Sequence, residues 1–397
     1  MTRLGDVCEK IGSGATPRGG KEAYKDAGIP IIRSQNIHDW VFQPDGLAFL
    51  DDEQAESLSN VEVRSNDVLL NITGDSVARA CIVPSERIPA RVNQHVAIVR
   101  AGKEINPTYL LASLQSKKTM LLSLASSGAT RNALTKRMIE NLDIDLPSRE
   151  IQDSIAQVLD SIQYKITLNN RLNDYLLELI SSVFAHRFSS NVNTTDLKNV
   201  LSISTKALKP QEHASEIWEH YSIPAFDEKH RPIFEPASEI KSNKYQIDNE
   251  CILISKLNPS TKRIWMPYCS SNNAVCSTEF IVYRPYLKEY KSFYYAAIDS
   301  PGFTDYLLEH VSGSTGSRQR AQPKDTLHYL MPNPSNEEIK NFCTFADPIY
   351  RHVQINEQQT AKLELLRDTL LPKLMSGEID VSKVDLTQLT NNHLADC

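Results

Sequence analysis

The sequence predicts a mixed α/β (α+β) fold laid out twice, with two globular parts alternating with two long helices. Three observations predict it. One order of short motifs recurs across the two halves of the 397 residues. Short strand-like runs are broken by turn residues in both globular parts. Two runs of about 40 residues then carry near-heptad apolar spacing with no internal Gly.

The repeat comes first, because missing it would misjudge everything after it. Leu4-Gly5-Asp6-Val7 returns as Leu197-Lys198-Asn199-Val200, an offset of 193. Ser65-Asn66-Asp67-Val68-Leu69-Leu70 aligns with Asp248-Asn249-Glu250-Cys251-Ile252-Leu253 at an offset of 183, as do Val92, Ile98 and Val99 with Val275, Ile281 and Val282. Tyr109-Leu-Leu-Ala answers to Phe293-Tyr-Tyr-Ala. Ala129-Thr130-Arg131 and Pro147-Ser148 match Gly316-Ser317-Arg318 and Pro334-Ser335 at 187. Any one match is chance; the shared order is not.

Within the globular parts, Ile29–Arg33, Asp67–Ile72 and Val96–Arg100 read as strands bounded by Gly, Pro, Asn and Asp, and residues 107–124 carry a helical pattern. After Pro147, Ser148 opens a helix with apolar positions that include Ile151, Ile155, Ile162, Leu172 and Leu176. Its counterpart carries Ile349, Val353, Leu363 and Leu370. Two amphipathic helices on separate cores fit this pattern, but seams this long suit an antiparallel coiled coil better. Asn169 and Asn356 match at an offset of 187 and read as a polar register device in that seam, or as contacts to a partner. Ser189–Asp196 spans at most roughly 28 Å, so the second helix must run back along the first. The expected result is a pseudo-twofold dumb-bell with helices roughly 60 Å long.

Composition narrows the class. Hydrophobic residues at 41% and charged residues at 23% describe a globular chain. The opening Met-Thr-Arg-Leu-Gly-Asp lacks a signal-peptide core, and seven scattered cysteines without CxxC spacing point to a cytoplasmic setting and no metal. A net charge of −6 argues weakly against nucleic acid, yet the acidity is local. Residues 1–145 hold 17 basic and 18 acidic side chains, residues 189–333 hold 16 of each, and 334–397 hold 6 against 10.

Catalytic motifs are missing. Adenine methylation wants a Gly-rich cofactor loop and Asn/Asp-Pro-Pro-aromatic, but Asn258-Pro259-Ser260 and Asn333-Pro334-Ser335 have neither the second Pro nor the aromatic. There is no GxxxxGK[ST] loop and no GxSxG elbow. Gly12-Ser13-Gly14 runs into Thr-Pro, so it is a turn. His95 with Asp75 as an orienting carboxylate is the one hydrolytic pairing worth naming, and a simply hydrogen-bonded His explains it as well.

What remains is a set of polar loops. Ser13, Thr16, Arg18 and Lys21 form the first, Arg33 and Asn36 the second, Thr73, Asp75, Ser76 and Arg79 the third, with Asn93, Gln94 and Arg131 beyond. In the second half Lys256, Asn258, Lys262, Arg263, Arg318 and Gln319 occupy the comparable stretches. These side chains suit phosphates and base edges, and they suit ordinary turns equally. Arg131 and Arg318 stand at repeated positions, as phosphate or base contacts or as loop arginines in surface salt bridges.

These residues resemble a known family. Gly12-Ser-Gly-Ala-Thr-Pro-Arg-Gly-Gly, Gly28-Ile-Pro-Ile-Ile-Arg-Ser-Gln-Asn-Ile, Asp67-Val-Leu-Leu-Asn-Ile-Thr-Gly-Asp-Ser, Val92-Asn-Gln-His-Val-Ala, Gly128-Ala-Thr-Arg and Leu146-Pro-Ser-Arg-Glu-Ile-Gln with Leu168-Asn-Asn-Arg-Leu-Asn are similar to the specificity subunits (HsdS) of Type I restriction–modification enzymes. The second half departs, with Ile-Ser-Lys-Leu for Asn-Ile-Thr-Gly and Cys-Ser-Thr for Asn-Gln-His. The resemblance implies target-recognition domains at 1–146 and 189–333, conserved spacer helices at 147–188 and 334–380, and a flexible tail at 381–397. It implies a non-catalytic reader of a bipartite, asymmetric site on double-stranded DNA. Its partners would be two methyltransferase (HsdM) subunits and motor–nuclease (HsdR) subunits, which would hold S-adenosylmethionine, ATP and Mg. Five aromatics in residues 1–145 against seventeen in 189–333 make two unlike surfaces, as two unlike half-sites require.

Overall fold

A computed structural model describes residues 1–126, 132–190, 193–312 and 319–381. The chain divides into two compact units, one formed by Met1–Thr167 with the segment from Ala361 onward, the other by Leu168–Thr360. Each of the long helices, Arg149–Phe188 and Asn336–Met375, is therefore shared between the units.

In unit 1 an antiparallel sheet runs in the order Cys8–Ser13, Val96–Ala101, Val68–Asn71, Ala80–Ile82. Facing it is a mixed sheet in the order Ala48–Leu50, Ile29–Ile32, Ala90–Val92, Glu62–Val63. Strand alternation divides the apolar residues between two cores. Leu69 and Ile98 enter the core between the sheets, while Val68, Leu70, Ala97 and Val99 face the helices Pro107–Ser116 and Lys118–Ser126 and the long helices. The single helix expected over 107–124 is broken at Lys117. There Gln115 Nε2 donates to Ala80 O at 2.9 Å and Lys118 pairs with Asp39, tying the break to a neighbouring loop.

Unit 2 repeats this plan. Leu201–Ser204, Phe280–Pro285, Ile252–Ser255 and Ile264–Trp265 take the same order. The facing sheet has the counterparts of all four strands plus an added edge strand, Ala207–Leu208. Register corrects the sequence alignment by one residue. Val68 pairs with Val99 and Ile252 with Tyr283, and both pairs lie on the helix side. The true offset there is 184, not 183; a slip of one would have put every side chain on the wrong face.

The helices pack antiparallel in each unit. In unit 1 Ile155, Leu159, Ile162 and Ile166 join Leu363, Leu370, Leu371 and Leu374 in one apolar cluster, and Arg367 donates to Gln163 Oε1 at 2.9 Å. In unit 2 Phe184, Phe188, Phe293 and Phe342 form an aromatic cluster with centroids 5.2–5.8 Å apart. Unit 2 also holds a polar layer. Asn169 Nδ2 donates to Gln359 Oε1 at 2.9 Å, and Asn356 Nδ2 donates to Asn173 Oδ1 at 2.8 Å. Ile151 (42% exposed), in the first turn of its helix, stands outside the expected seam. The seam drifts after Ile166: Leu172 (37% exposed) stands outside it and Leu176 is half-buried, because the sequence pattern follows apolar residues while the seam turns through Asn169 and Asn173. Val353 is buried in the seam, its carbonyl accepting from Asn173 Nδ2 at 3.4 Å, and Ile349 packs against the apolar cluster that holds Phe342 and Tyr350.

Candidate nucleic-acid interface

In unit 1 the polar loops converge through backbone hydrogen bonds at one end of the sheets. Ala15 N–H donates to Val92 O (3.0 Å), Ile72 to His95 O (3.0 Å), Gly74 to Asn132 O (3.1 Å) and Leu134 to Ile72 O (2.8 Å). Two glycines permit this. A Cβ on Gly14 would lie 2.0 Å from Val92 O, and Gly74 turns in the left-handed region at φ +77°. Ser13, Arg18, Asp75 and Gln94 are exposed on these loops, and Thr16, Thr73, Ser76 and Arg79 are half-buried. Arg131, the Lys21 side chain and the tail beyond Val381 lie outside what the structure describes.

Other expected residues are spent within the fold. Asn36 is buried; its Oδ1 accepts from Arg33 N–H (3.1 Å) and its Nδ2 donates to Gln43 O and Asp45 O (2.9 and 3.2 Å). The Arg33 guanidinium stacks on Tyr24 and donates to Gly46 O. Both brace a loop instead of standing toward a ligand. Asn93 is buried, its Oδ1 accepting from His95 N–H at 3.1 Å.

At the centre of the loops, His95 Nδ1 lies 2.7 Å from Thr73 Oγ1 and its Nε2 lies 3.3 Å from Gln94 Nε2. The imidazole thus ties Thr73 and Gln94 together through its two ring nitrogens. Asp75 is not among the ring's partners, so no carboxylate-oriented base forms here.

Unit 2 builds the same frame from other side chains. Lys256 N–H donates to Glu279 O (2.9 Å), Asn258 to Gln319 O (3.0 Å), Ala321 to Lys256 O (2.9 Å) and Thr261 to Asn258 O (2.9 Å). Asn258 takes the left-handed place of Gly74 at φ +49°, which asparagine tolerates better than most residues. Glu279 is thus the counterpart of His95, and Arg320 that of Ala133. Arg320 donates to both Glu279 carboxylate oxygens, at 3.1 and 3.4 Å, and the carboxylate holds the guanidinium above its ordinary pKa.

Two of the expected cations are neutralised here. Arg263 pairs with Asp227 through two bonds of 2.6 and 2.9 Å, and Lys262 sits 2.7 Å from Asp299, whose carboxyl is raised by burial. Lys256, Asn258 and Gln319 keep half-buried positions on the loops, and Arg318 lies outside the described residues. Sequence reasoning missed Arg320 and Glu279 because only strand register aligns them with unit 1. It noticed His95, and of the two readings given there the simply hydrogen-bonded histidine is the one found, with Thr73 and Gln94 as partners.

The chain is similar to known proteins along most of its length. Residues 1–178 match the family model for the Type I restriction modification DNA specificity domain. The chain is 21% identical to the Type I restriction enzyme MjaIX specificity subunit of Methanocaldococcus jannaschii, over 97% of this chain and 94% of that protein. The chain is thus similar to Type I specificity subunits, in its first 178 residues by the family model and along its length by this relative. The MjaX specificity subunit of the same organism is 23% identical over 43% of this chain, and the match spans only 41% of that protein. The fold is that of the S subunit of the Type I system from M. genitalium, with a TM-score of 0.55, 15% identity and coverage of 94% of this chain and 95% of that one. Among the described residues no helix is long and apolar enough to cross a membrane, and no three His, Cys, Asp or Glu side chains gather as a metal would need.

Proposed function

We propose that this chain is a Type I specificity subunit and that it reads a bipartite, asymmetric site on double-stranded DNA, one half-site per unit, in the cytoplasm and without chemistry of its own. The observation that carries this is the loop frame, built twice from equivalent backbone bonds and dressed with different side chains. Loops dense in Thr, Gln, Arg and Lys on a rigid frame suit base edges and phosphates. In this reading 1–146 and 189–333 are the target-recognition domains, and 147–188 and 334–380 the spacer helices.

The chain would position two methyltransferase subunits and motor–nuclease subunits, with S-adenosylmethionine, ATP and Mg held by those partners. An exposed apolar stripe on the first long helix within unit 2, formed by Leu168, Leu172, Tyr175 and Leu179 at spacings of four, three and four, supports a helical partner. The seam is already filled by the other helix, so this stripe is additional to it.

Exchanging residues 1–145 for those of a relative tests the reading. Sequencing modified bases in the host should show one half of the methylated motif changed and the other intact. Both halves changing together, or neither, would refute it. Methyl transfer by the purified chain alone would refute its catalytic emptiness.

A further inference from the structure

We propose that a cavity in unit 2, at the end of its sheet away from the loop frame, binds a small organic phosphate whose remaining part is aromatic or apolar. The cavity measures about 500 Å³, within the range of small-molecule sites. Three elements wall it, all within unit 2. Met266 and Tyr268 follow the strand Ile264–Trp265, Lys291 opens the helix Lys291–Asp299, and Arg351, His352 and Ile355 come from the second long helix. The strand Ile252–Ser255 leads from the Asn249 end, where Lys291 is held, to Lys256 in the loop frame. Four strand residues span about 13 Å, so the cavity stands apart from the loops proposed to read DNA.

Its charges point to an anion. Lys288 is spent on Glu250, and Asp347 accepts from Ser292 Oγ. Lys291 is half-buried and gives Nζ to a neutral carbonyl, Asn249 O at 2.6 Å, beside the face of Tyr268. Burial lowers it to about 8, which leaves it a cation at neutral pH. Arg351 and His352 are exposed and make no ion pair among the described residues. Lys291 and Arg351 thus stand against one lining carboxylate that lacks a cationic partner, Asp347, and the lining is net positive. An arginine fork with a lysine point charge suits a phosphate group. Met266, Tyr268, Pro348 and Ile355 supply an apolar wall, which an inorganic ion would leave uncovered.

The repeat separates what this corner needs for folding from what it adds. Ser292 and Asp347 answer to Thr108 and Asp160, which are hydrogen-bonded at 3.1 Å in unit 1, so that pair ties a core helix to a long helix in both units. Lys291 and Arg351 stand where unit 1 has Pro107 and Tyr164, at the offsets of 184 and 187. The shared packing therefore requires neither cation. A half-buried ammonium without a carboxylate partner costs desolvation free energy, and a bound anion would offset it.

Calorimetric titration of the purified full chain tests this, with phenyl phosphate, inorganic phosphate, phenol and adenosine monophosphate as probes. Phenyl phosphate should bind at a single saturable site, roughly tenfold more tightly than inorganic phosphate because its ring buries apolar surface, and phenol should not bind measurably. Arg351→Gln should weaken phenyl phosphate roughly tenfold, the scale of one charge-assisted hydrogen bond, and Lys291→Met by as much. Arg351 is exposed, so its variant carries the test if Lys291→Met does not fold. Adenosine monophosphate distinguishes the source: binding as tight as phenyl phosphate supports a nucleotide, and weaker binding a smaller ester. No saturable binding, equal affinity for inorganic and phenyl phosphate, or affinities that neither variant changes would each overturn the proposal. Should Arg351→Gln weaken DNA binding in a chain that takes up no phenyl phosphate, these cations serve the nucleic acid instead.

Discussion

The two loop frames have the same backbone and different contents. Ile72, Gly74 and Leu134 make in unit 1 the bonds that Lys256, Asn258 and Ala321 make in unit 2, and both frames turn through a left-handed residue. On that shared frame one unit carries a Thr–His–Gln chain and the other a Glu–Arg ion pair. The lesson is a division of labour. Backbone hydrogen bonds are indifferent to side-chain identity, so they preserve the frame while the side chains on it are free to differ. The helical seams contrast in the same way: Ile155 of unit 1 stands where unit 2 has Phe342, at the 187-residue offset of the helices.

That seam contrast predicts the largest effect. Phe342 is fully buried among Phe184, Phe188 and Phe293, so Phe342→Ala should cost about 3–5 kcal/mol in denaturant unfolding. Ile155→Ala, in the aliphatic seam, should cost about 2–4 kcal/mol. The opposite order would mean that the aromatic cluster collapses around the cavity and the two seams are less unlike than their residues suggest.

The polar layer comes next. Asn173→Leu removes the acceptor for buried Asn356 Nδ2 and should cost about 1–3 kcal/mol, although leucine is the more apolar residue. A gain in melting temperature would show that the layer is dispensable for stability and that the two seams differ only in residue type.

The smallest effect concerns a buried amine. Unit 1 begins its first core helix with Pro107, whereas unit 2 begins the equivalent helix with Lys291, whose Nζ donates to Asn249 O at 2.6 Å and lies 5.3 Å from the Tyr268 ring centre. Burial pushes this lysine down to about 8. Between about pH 8 and the ordinary lysine value of 10.5 the unfolded chain binds a proton that the folded chain has released. Stability contributed at Lys291 therefore rises with pH across that window. Relative to Lys291→Met, the wild-type chain should gain on the order of 1 kcal/mol between pH 8 and 10.5. A difference that stays flat with pH would place the amine in contact with water.

Much of this was legible before any coordinates. The tandem repeat, the strands around Val68 and Val96, the two long helices and the opening loops follow from periodicity and turn residues, because those signals are local. Thr73 and Gln94 stood out as polar residues on a Gly-rich loop. The one-residue slip in the second half was not visible, since Val68 resembles Cys251 and Ile252 almost equally and only strand pairing tells them apart. Arg33 and Asn36 looked like ligands because a side chain that braces a turn and one that meets a partner are the same residue types.

The sequence by itself determined the doubled architecture and the resemblance to Type I specificity subunits, since repeated order and shared motifs are properties of the chain. Tertiary structure decided the rest. It turned the helix seam through Asn169 and Asn173 past the more apolar Leu172, because a heptad seam follows helical geometry and a buried amide is tolerated once a partner across the seam satisfies it. It also brought Glu279 to Arg320 and His95 to Thr73, pairs 41 and 22 residues apart, through strand register that no local pattern encodes.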